Sequence, residues 1–195
     1  MIASQKEILF LFILFIGPFL LIWFYFHRRT GTSTFDALTR GLLIAYVLLM
    51  IFLTQWPLPD KSELFTSRMY EIRPGTFLIR VTMRIREMIA HHEFISIHSL
   101  FVDDIVMQPI LNILLFVPFG FLLKLASNWS NRLCLLLAFF TSLLIELTQF
   151  TGLWFVYPMP YRLFEVDDLL LNTLGGLIGI LSAKYLMSYL PKNEL

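Results

Sequence analysis

Several stretches of this chain are apolar for long enough to cross a lipid bilayer, and that limits the fold more than any other feature. Inside hydrocarbon every backbone N–H and C=O must be paired within the protein, which leaves helices and closed barrels. The runs here are about 20 residues long, the length a spanning helix needs. Five spans are read, at about 8–26, 37–56, 109–126, 132–150 and 168–188. With 57% hydrophobic residues, 15% charged residues and 20 Phe, the chain is far more apolar than a soluble domain. The expected fold is an all-α, polytopic transmembrane bundle. The expected organisation is an N-terminal hairpin of two spans (1–56), an extracellular or interfacial loop (57–108) and a core of three helices (107–190).

Ile8 to Phe26 is read as a retained helix rather than a cleaved signal. Lys6 is offset by Glu7, and His27, Arg28 and Arg29 follow the apolar run, the flank of a helix whose C-terminal end is cytoplasmic. Pro57 and Pro59 close the second span, Pro109 opens the third, and Pro118 beside Gly120 is expected to kink it. Arg28, Arg29, Arg40, Lys124, Arg132, Lys184 and Lys192 all fall on one side of the threaded chain. The positive-inside rule then puts the N-terminus outside and the C-terminus in the cytoplasm. In the 57–108 loop, Ile79 to Arg86 alternates apolar and polar like a strand, but the stretch also reads as an amphipathic segment. An isolated strand would lack a pairing partner, so an amphipathic segment at the outer interface is expected.

Composition excludes some classes of function. A net charge of +1 gives no footprint for nucleic acid. The single cysteine, Cys134, can form no intrachain disulfide and lies in an apolar run. His91, His92, Glu93 and His98 are ligand types, but adjacent histidines point apart on a helix, so no metal and no cofactor is expected. No G-x-S-x-G, H-E-x-x-H or phosphate-binding loop is present.

The informative residues are polar side chains in apolar helices. A carboxylate at the centre of a spanning helix costs about 2.5–3.5 kcal/mol on insertion scales. Asn112 lies near the start of the third span, Glu146 and Gln149 near the end of the fourth, and Asp167, Asp168 and Asn172 at the start of the fifth. Because successive spans alternate in direction, all of these fall at one membrane face, extracellular in the orientation above. Ser142, Glu146 and Gln149 share one helical stripe, and Glu165, Asp168 and Asn172 another. Gly175, Gly176 and Gly179 are read as packing residues, with the G-x-x-x-G of Gly175 and Gly179 bringing the fifth span against the fourth and carrying Asn172 towards Glu146. Arg162 is the nearest base, placed to pair with Glu146, Glu165 or Asp168. The candidate binding residues are therefore Asn112, Glu146, Gln149, Arg162, Asp167, Asp168 and Asn172, and the acid–base candidates are Glu146 and Asp168, with Arg162 holding an anionic group. The alternative reading of the same residues is structural: interhelical hydrogen bonds for the Asn pair and helix-dipole acids for Asp167 and Asp168.

Three segments resemble the VanZ-like family. Asn112-Ile-Leu-Leu-Phe116-Val-Pro118-Phe119-Gly120 is similar to its N-x-x-x-F-x-P-F-G, and Ser142, Glu146 and Gln149 to its S-x-x-x-E-x-x-Q. Arg162 to Gly179 is similar to its R-x-x-D-x-x-D-x-x-x-N-x-x-G-G-x-x-G, except that Glu165 stands where that pattern has Asp. Order and spacing match over about 107–183. The resemblance implies a multi-pass protein of the bacterial plasma membrane, in a family whose founding member is associated with low-level resistance to teicoplanin, a lipoglycopeptide acting outside the cell. It suggests a lipid-linked or cell-wall ligand and leaves the reaction, if any, and the oligomeric state open. Two functions follow as expectations: an envelope factor that binds an outer-leaflet component, or an intramembrane enzyme using Glu146 or Asp168. A small transporter is disfavoured, because no inverted repeat is visible.

Overall fold

The computed structural model describes Trp23 and residues 33–55, 72–73, 77–90, 103–160 and 162–189. The first expected span, 8–26, lies outside the described residues apart from Trp23, as do His91, His92, Glu93 and His98. The helices are α1 (Thr34–Gln55), α2 (Phe77–Ala90), α3 (Asp104–Ala126), α4 (Asn131–Phe150) and α5 (Val166–Met187). Four of them, α1, α3, α4 and α5, are long and apolar enough to cross a membrane, matching the second to fifth expected spans. Their outward faces carry exposed Leu42, Ile51, Leu114, Phe140, Leu144 and Ile178. Such a belt has no place in water and suits lipid. The chain is a multi-pass, all-α membrane protein.

Each boundary has a local cause. Asp103 caps α3 by accepting from the Ile105 N–H at 3.0 Å, and Ser130 caps α4 from the Leu133 N–H at 3.3 Å. Pro109 and Pro118 sit inside α3, which is nonetheless assigned as one continuous helix. Pro118 deprives the Leu114 carbonyl of its helical donor. One residue along, the Tyr46 hydroxyl of α1 donates to the Leu115 carbonyl at 2.7 Å, a neighbour bracing the helix at its weak point. The short turn between α3 and α4 exposes Trp129.

After α4 the chain winds left-handed through Gly152, Leu153, Trp154 and Phe155, with φ between 55° and 69°. Left-handed helical geometry costs roughly 1–2 kcal/mol for each non-glycine residue. Phe155 N–H to Thr151 O and Tyr157 N–H to Gly152 O, at 2.9 and 2.8 Å, hold the turn, which presents Trp154, Phe155 and Val156 outwards.

The tightest seam joins α3 and α5. A side chain on Gly175 would strike the Ile113 carbonyl, one on Gly179 the Val117 carbonyl, and one on Gly120 the backbone of Gly176. Contacts advance by four residues along both helices, so α3 and α5 run parallel. Here the expectation needs correction. Gly175 and Gly179 pack against the third span, not the fourth. The reason is that α3 supplies its own small residue, Gly120, and helices two apart in the chain can be parallel neighbours. Only Gly176 turns towards α4, where an added Cβ would lie 2.7 Å from that of Ala138. The apolar core, with Met50, Phe116, Phe119, Leu123, Cys134 and Ile180, fills the middle and the far half of the bundle.

The 57–108 segment also departs from one part of the reading. Phe77–Ala90 is a helix, so the amphipathic alternative holds and the alternation over 79–86 does not make a strand. Just before it, however, Ile72–Arg73 finds a partner after all, a two-residue parallel pairing with Phe164–Glu165. That pairing ties the loop to the start of α5.

Candidate functional site

The starts of α3 and α5 and the ends of α1 and α4 meet at one end of the bundle, and the polar side chains gather there. Glu146 is 3% exposed and accepts from the Glu165 backbone N–H at 3.2 Å. Glu165 is the residue before α5, where N–H groups lack helical acceptors, so a carboxylate from α4 caps the neighbouring helix. The Glu146 carboxylate is within electrostatic reach of Asp168, Glu165 and Arg162. One turn deeper, Asn172 Nδ2 donates to Ser142 Oγ at 2.9 Å, joining the two stripes. Gln149 faces the other way, its Nε2 donating to the Thr54 carbonyl of α1 at 2.6 Å. It ties α1 to α4 and satisfies one of the last carbonyls of α1.

The chief cation of the site is one that sequence reasoning missed. Arg80 of α2 grips Glu165 with both amino groups, Nη1 to Oε1 at 3.1 Å and Nη2 to Oε2 at 2.7 Å, with Asp167 Oδ2 at 3.6 Å. This fork-to-fork geometry is the strong form of an ion pair. The Glu165 hydrogen bond, reinforced by the charges of Glu165, Asp167 and Asp168, raises the Arg80 guanidinium above its ordinary value. Arg162, expected in this role, is exposed and closes no ion pair among the described residues. One turn on from Arg80, Arg84 Nε donates to Asp103 Oδ2 at 2.6 Å. The two arginines share one stripe of α2, beside exposed Ile79 and Met83, and that i, i+4 spacing was the signal available in the sequence.

Beneath α2 lies a cavity of about 30 Å³ lined by Arg80, Gln108, Glu165 and Asp168 with Ile105, Pro109 and Leu171. That is room for roughly two water-sized groups. Glu146 and Gln149 do not line it, so the expected cluster divides into a cavity at Asp168, a buried cap at Glu146 and an inter-helix clasp at Gln149. Asn112 is also at this end, and its Nδ2 is buried without a partner, as is Oδ1 of Asn172. Among the described residues no group of three or more His, Cys, Asp or Glu is placed to hold a metal ion.

Asn112, Ser142, Glu146, Gln149, Asp168 and Asn172, on three packed helices, all lie within residues 43–188, which a family model, VanZ/LLP1, matches. The chain belongs to the VanZ/LLP1 family. The match covers α1 from its middle, α2, and the whole α3–α5 bundle, so Arg80 as well as the polar helices falls within the VanZ/LLP1 region. No curated protein and no solved structure matches the chain significantly.

Proposed function

We propose that this VanZ-type protein serves the bacterial cell envelope by binding an outer-leaflet lipid or cell-wall component at the polar end of its bundle, and that it contributes in this way to glycopeptide (teicoplanin) resistance. In this reading the polar end is extracellular, the N-terminus outside and the C-terminus cytoplasmic. The observation that carries it is the cavity under α2, whose wall mixes polar Asp168, Gln108 and the Arg80–Glu165 pair with apolar Ile105, Pro109 and Leu171. A few fixed polar groups beside apolar side chains orient a small polar group of a ligand, such as part of a head group.

A second reading makes the same end an intramembrane enzyme acting on a lipid-linked substrate. It is favoured by the pairing of a cavity-lining carboxylate, Asp168, with a buried one, Glu146, within electrostatic reach of it. Either could accept or return a proton at a substrate hydroxyl. Glu146→Gln and Asp168→Asn in a complemented deletion strain separate the two. Under the binding reading, the isosteres keep part of the teicoplanin tolerance and the lipid profile does not change. Under the enzyme reading, tolerance vanishes together with a lipid species that wild type makes. Unchanged tolerance on deletion of the gene overturns the resistance role. Orientation is tested by thiol labelling of Thr30→Cys in a Cys134→Ser background, where labelling of intact cells by an impermeant reagent would reverse it.

A further inference from the structure

The charge and hydrogen-bonding balance of the polar end says what kind of head group fits, given the binding reading above, on which this inference rests. Among the described residues, the carboxylates of Glu146, Glu165, Asp167 and Asp168 stand near the guanidiniums of Arg80 and Arg162, while Arg84 is taken up by Asp103. Arg80 turns both amino groups to Glu165, and Arg162 is exposed. A phosphate entering the cavity would meet the carboxylates of Asp168 and Glu165 at its wall, with the Arg80 fork already occupied.

One turn below, the demand is different. Asp168 and Pro109 line the same cavity, and α3 and α5 run parallel, with Ile113 against Gly175. Asn112 and Asn172, three and four residues further along their helices, therefore sit within about one helix turn of each other, past the residues that line the cavity. Asn112 offers a buried, unpartnered donor and Asn172, only 5% exposed, a buried, unpartnered acceptor. An ammonium is donor only, and a carboxylate or phosphate oxygen is acceptor only, so each would leave one amide atom unpaired. A hydroxyl is both: it can accept from Asn112 Nδ2 and donate to Asn172 Oδ1. A second hydroxyl about 5 Å away, one helix turn up, would reach Asp168 and Gln108.

We propose that the ligand carries a polyol head, glycerol or sugar, with one hydroxyl between Asn112 and Asn172 and another in the cavity at Asp168 and Gln108. The test uses the full chain in nanodiscs and four lipids of matched acyl chains: diglucosyl-diacylglycerol (polyol, no phosphate), phosphatidylglycerol (polyol and phosphate), phosphatidic acid (phosphate only) and phosphatidylethanolamine (ammonium). Retention is read by native mass spectrometry. Both polyol lipids are expected to be held at least tenfold more tightly than phosphatidic acid and phosphatidylethanolamine. Retention of the glycolipid alone identifies a sugar as the source of the hydroxyls. Asn112→Leu is expected to erase the preference while the unfolding temperature holds or rises, because an unpaired buried donor is removed. Gln108→Leu, at an exposed rim position, is a second variant and should weaken only the polyol lipids. Phosphatidic acid bound as well as the polyols overturns the proposal, as does a preference that survives both variants. A lower unfolding temperature in Asn112→Leu with unchanged lipid preference also overturns it, in favour of a purely structural amide pair. If no lipid is retained above empty discs, the binding reading itself falls.

Discussion

Along the α3–α5 seam two backbones touch through Gly120, Gly175 and Gly179, whereas α2 meets the same two helices through Arg80 on Glu165 and Arg84 on Asp103. The first contact is uncharged, close and insensitive to solvent composition. The second is made of charged forks at the edge of the bundle, with the Arg80 side chain 30% exposed. A close-packed platform and a charge-held roof therefore share the same pair of helices. The glycine seam fixes the height of Asn112 against Asn172, and Arg80 forms part of the cavity wall above them.

The largest test strikes the platform. Gly179→Leu drives a side chain into the Val117 carbonyl and should destabilise the bundle by about 3 kcal/mol or more, read as loss of cooperative unfolding in detergent. A variant that unfolds like wild type would show the seam to be as adjustable as the roof. Next is the roof itself. Glu165→Gln removes the charged partner of Arg80 and should weaken α2 docking by about 1–2 kcal/mol, with the exposure of the arginine keeping the loss small. A spin-label distance between Ile89→Cys and Phe155→Cys should broaden in that variant. It should broaden in wild type at 1 M salt as well, where the screening length falls to about 3 Å.

A third test concerns acid. The hydrogen bond from Arg84 holds the Asp103 carboxyl below its ordinary value of 3.8. A carboxylate lowered by folding stabilises the docked state above its unfolded value and ceases to do so as pH falls through the folded one. The Arg84–Asp103 tether should therefore last to lower pH than an ordinary aspartate would allow, while Arg84→Gln should raise the Asp103 titration towards the ordinary range. An Asp103 titration unmoved by Arg84→Gln, followed by carbon-detected NMR, would remove the second tether from the roof. The smallest effect is expected at Arg162. Arg162→Gln should change the unfolding free energy by less than about 0.5 kcal/mol, since the residue is exposed and closes no ion pair among the described residues.

These regions also differ in how far the sequence discloses them. The spans, and the stripe of Ser142, Glu146 and Gln149, are legible because helical period and hydropathy are local properties. The Glu146 cap on Glu165 and the Asn172–Ser142 bond follow the facing stripes that the spacing suggests. Arg80 is not legible in the same way, because its partner lies 85 residues away and its own segment alternates like a strand. The partner of the glycines is misread for a related reason: proximity in the chain favours the adjacent α4, whereas the parallel approach of α3 depends on Gly120, whose effect emerges only when two helices are placed together.

The left-handed turn after α4 has a further consequence. It holds Trp154 outward at one end of that helix, while Trp129 is held outward just before the other. Between them, the 20 residues of α4 rise about 30 Å, the thickness of the hydrocarbon layer. Indole rings settle at the headgroup level, so the two act as waterlines on a hull and set the depth at which the protein floats. Glu146 comes four residues, about 6 Å, before the end of α4. On the binding reading proposed above, a polar end at that depth lets a lipid present its head without its tails leaving the leaflet.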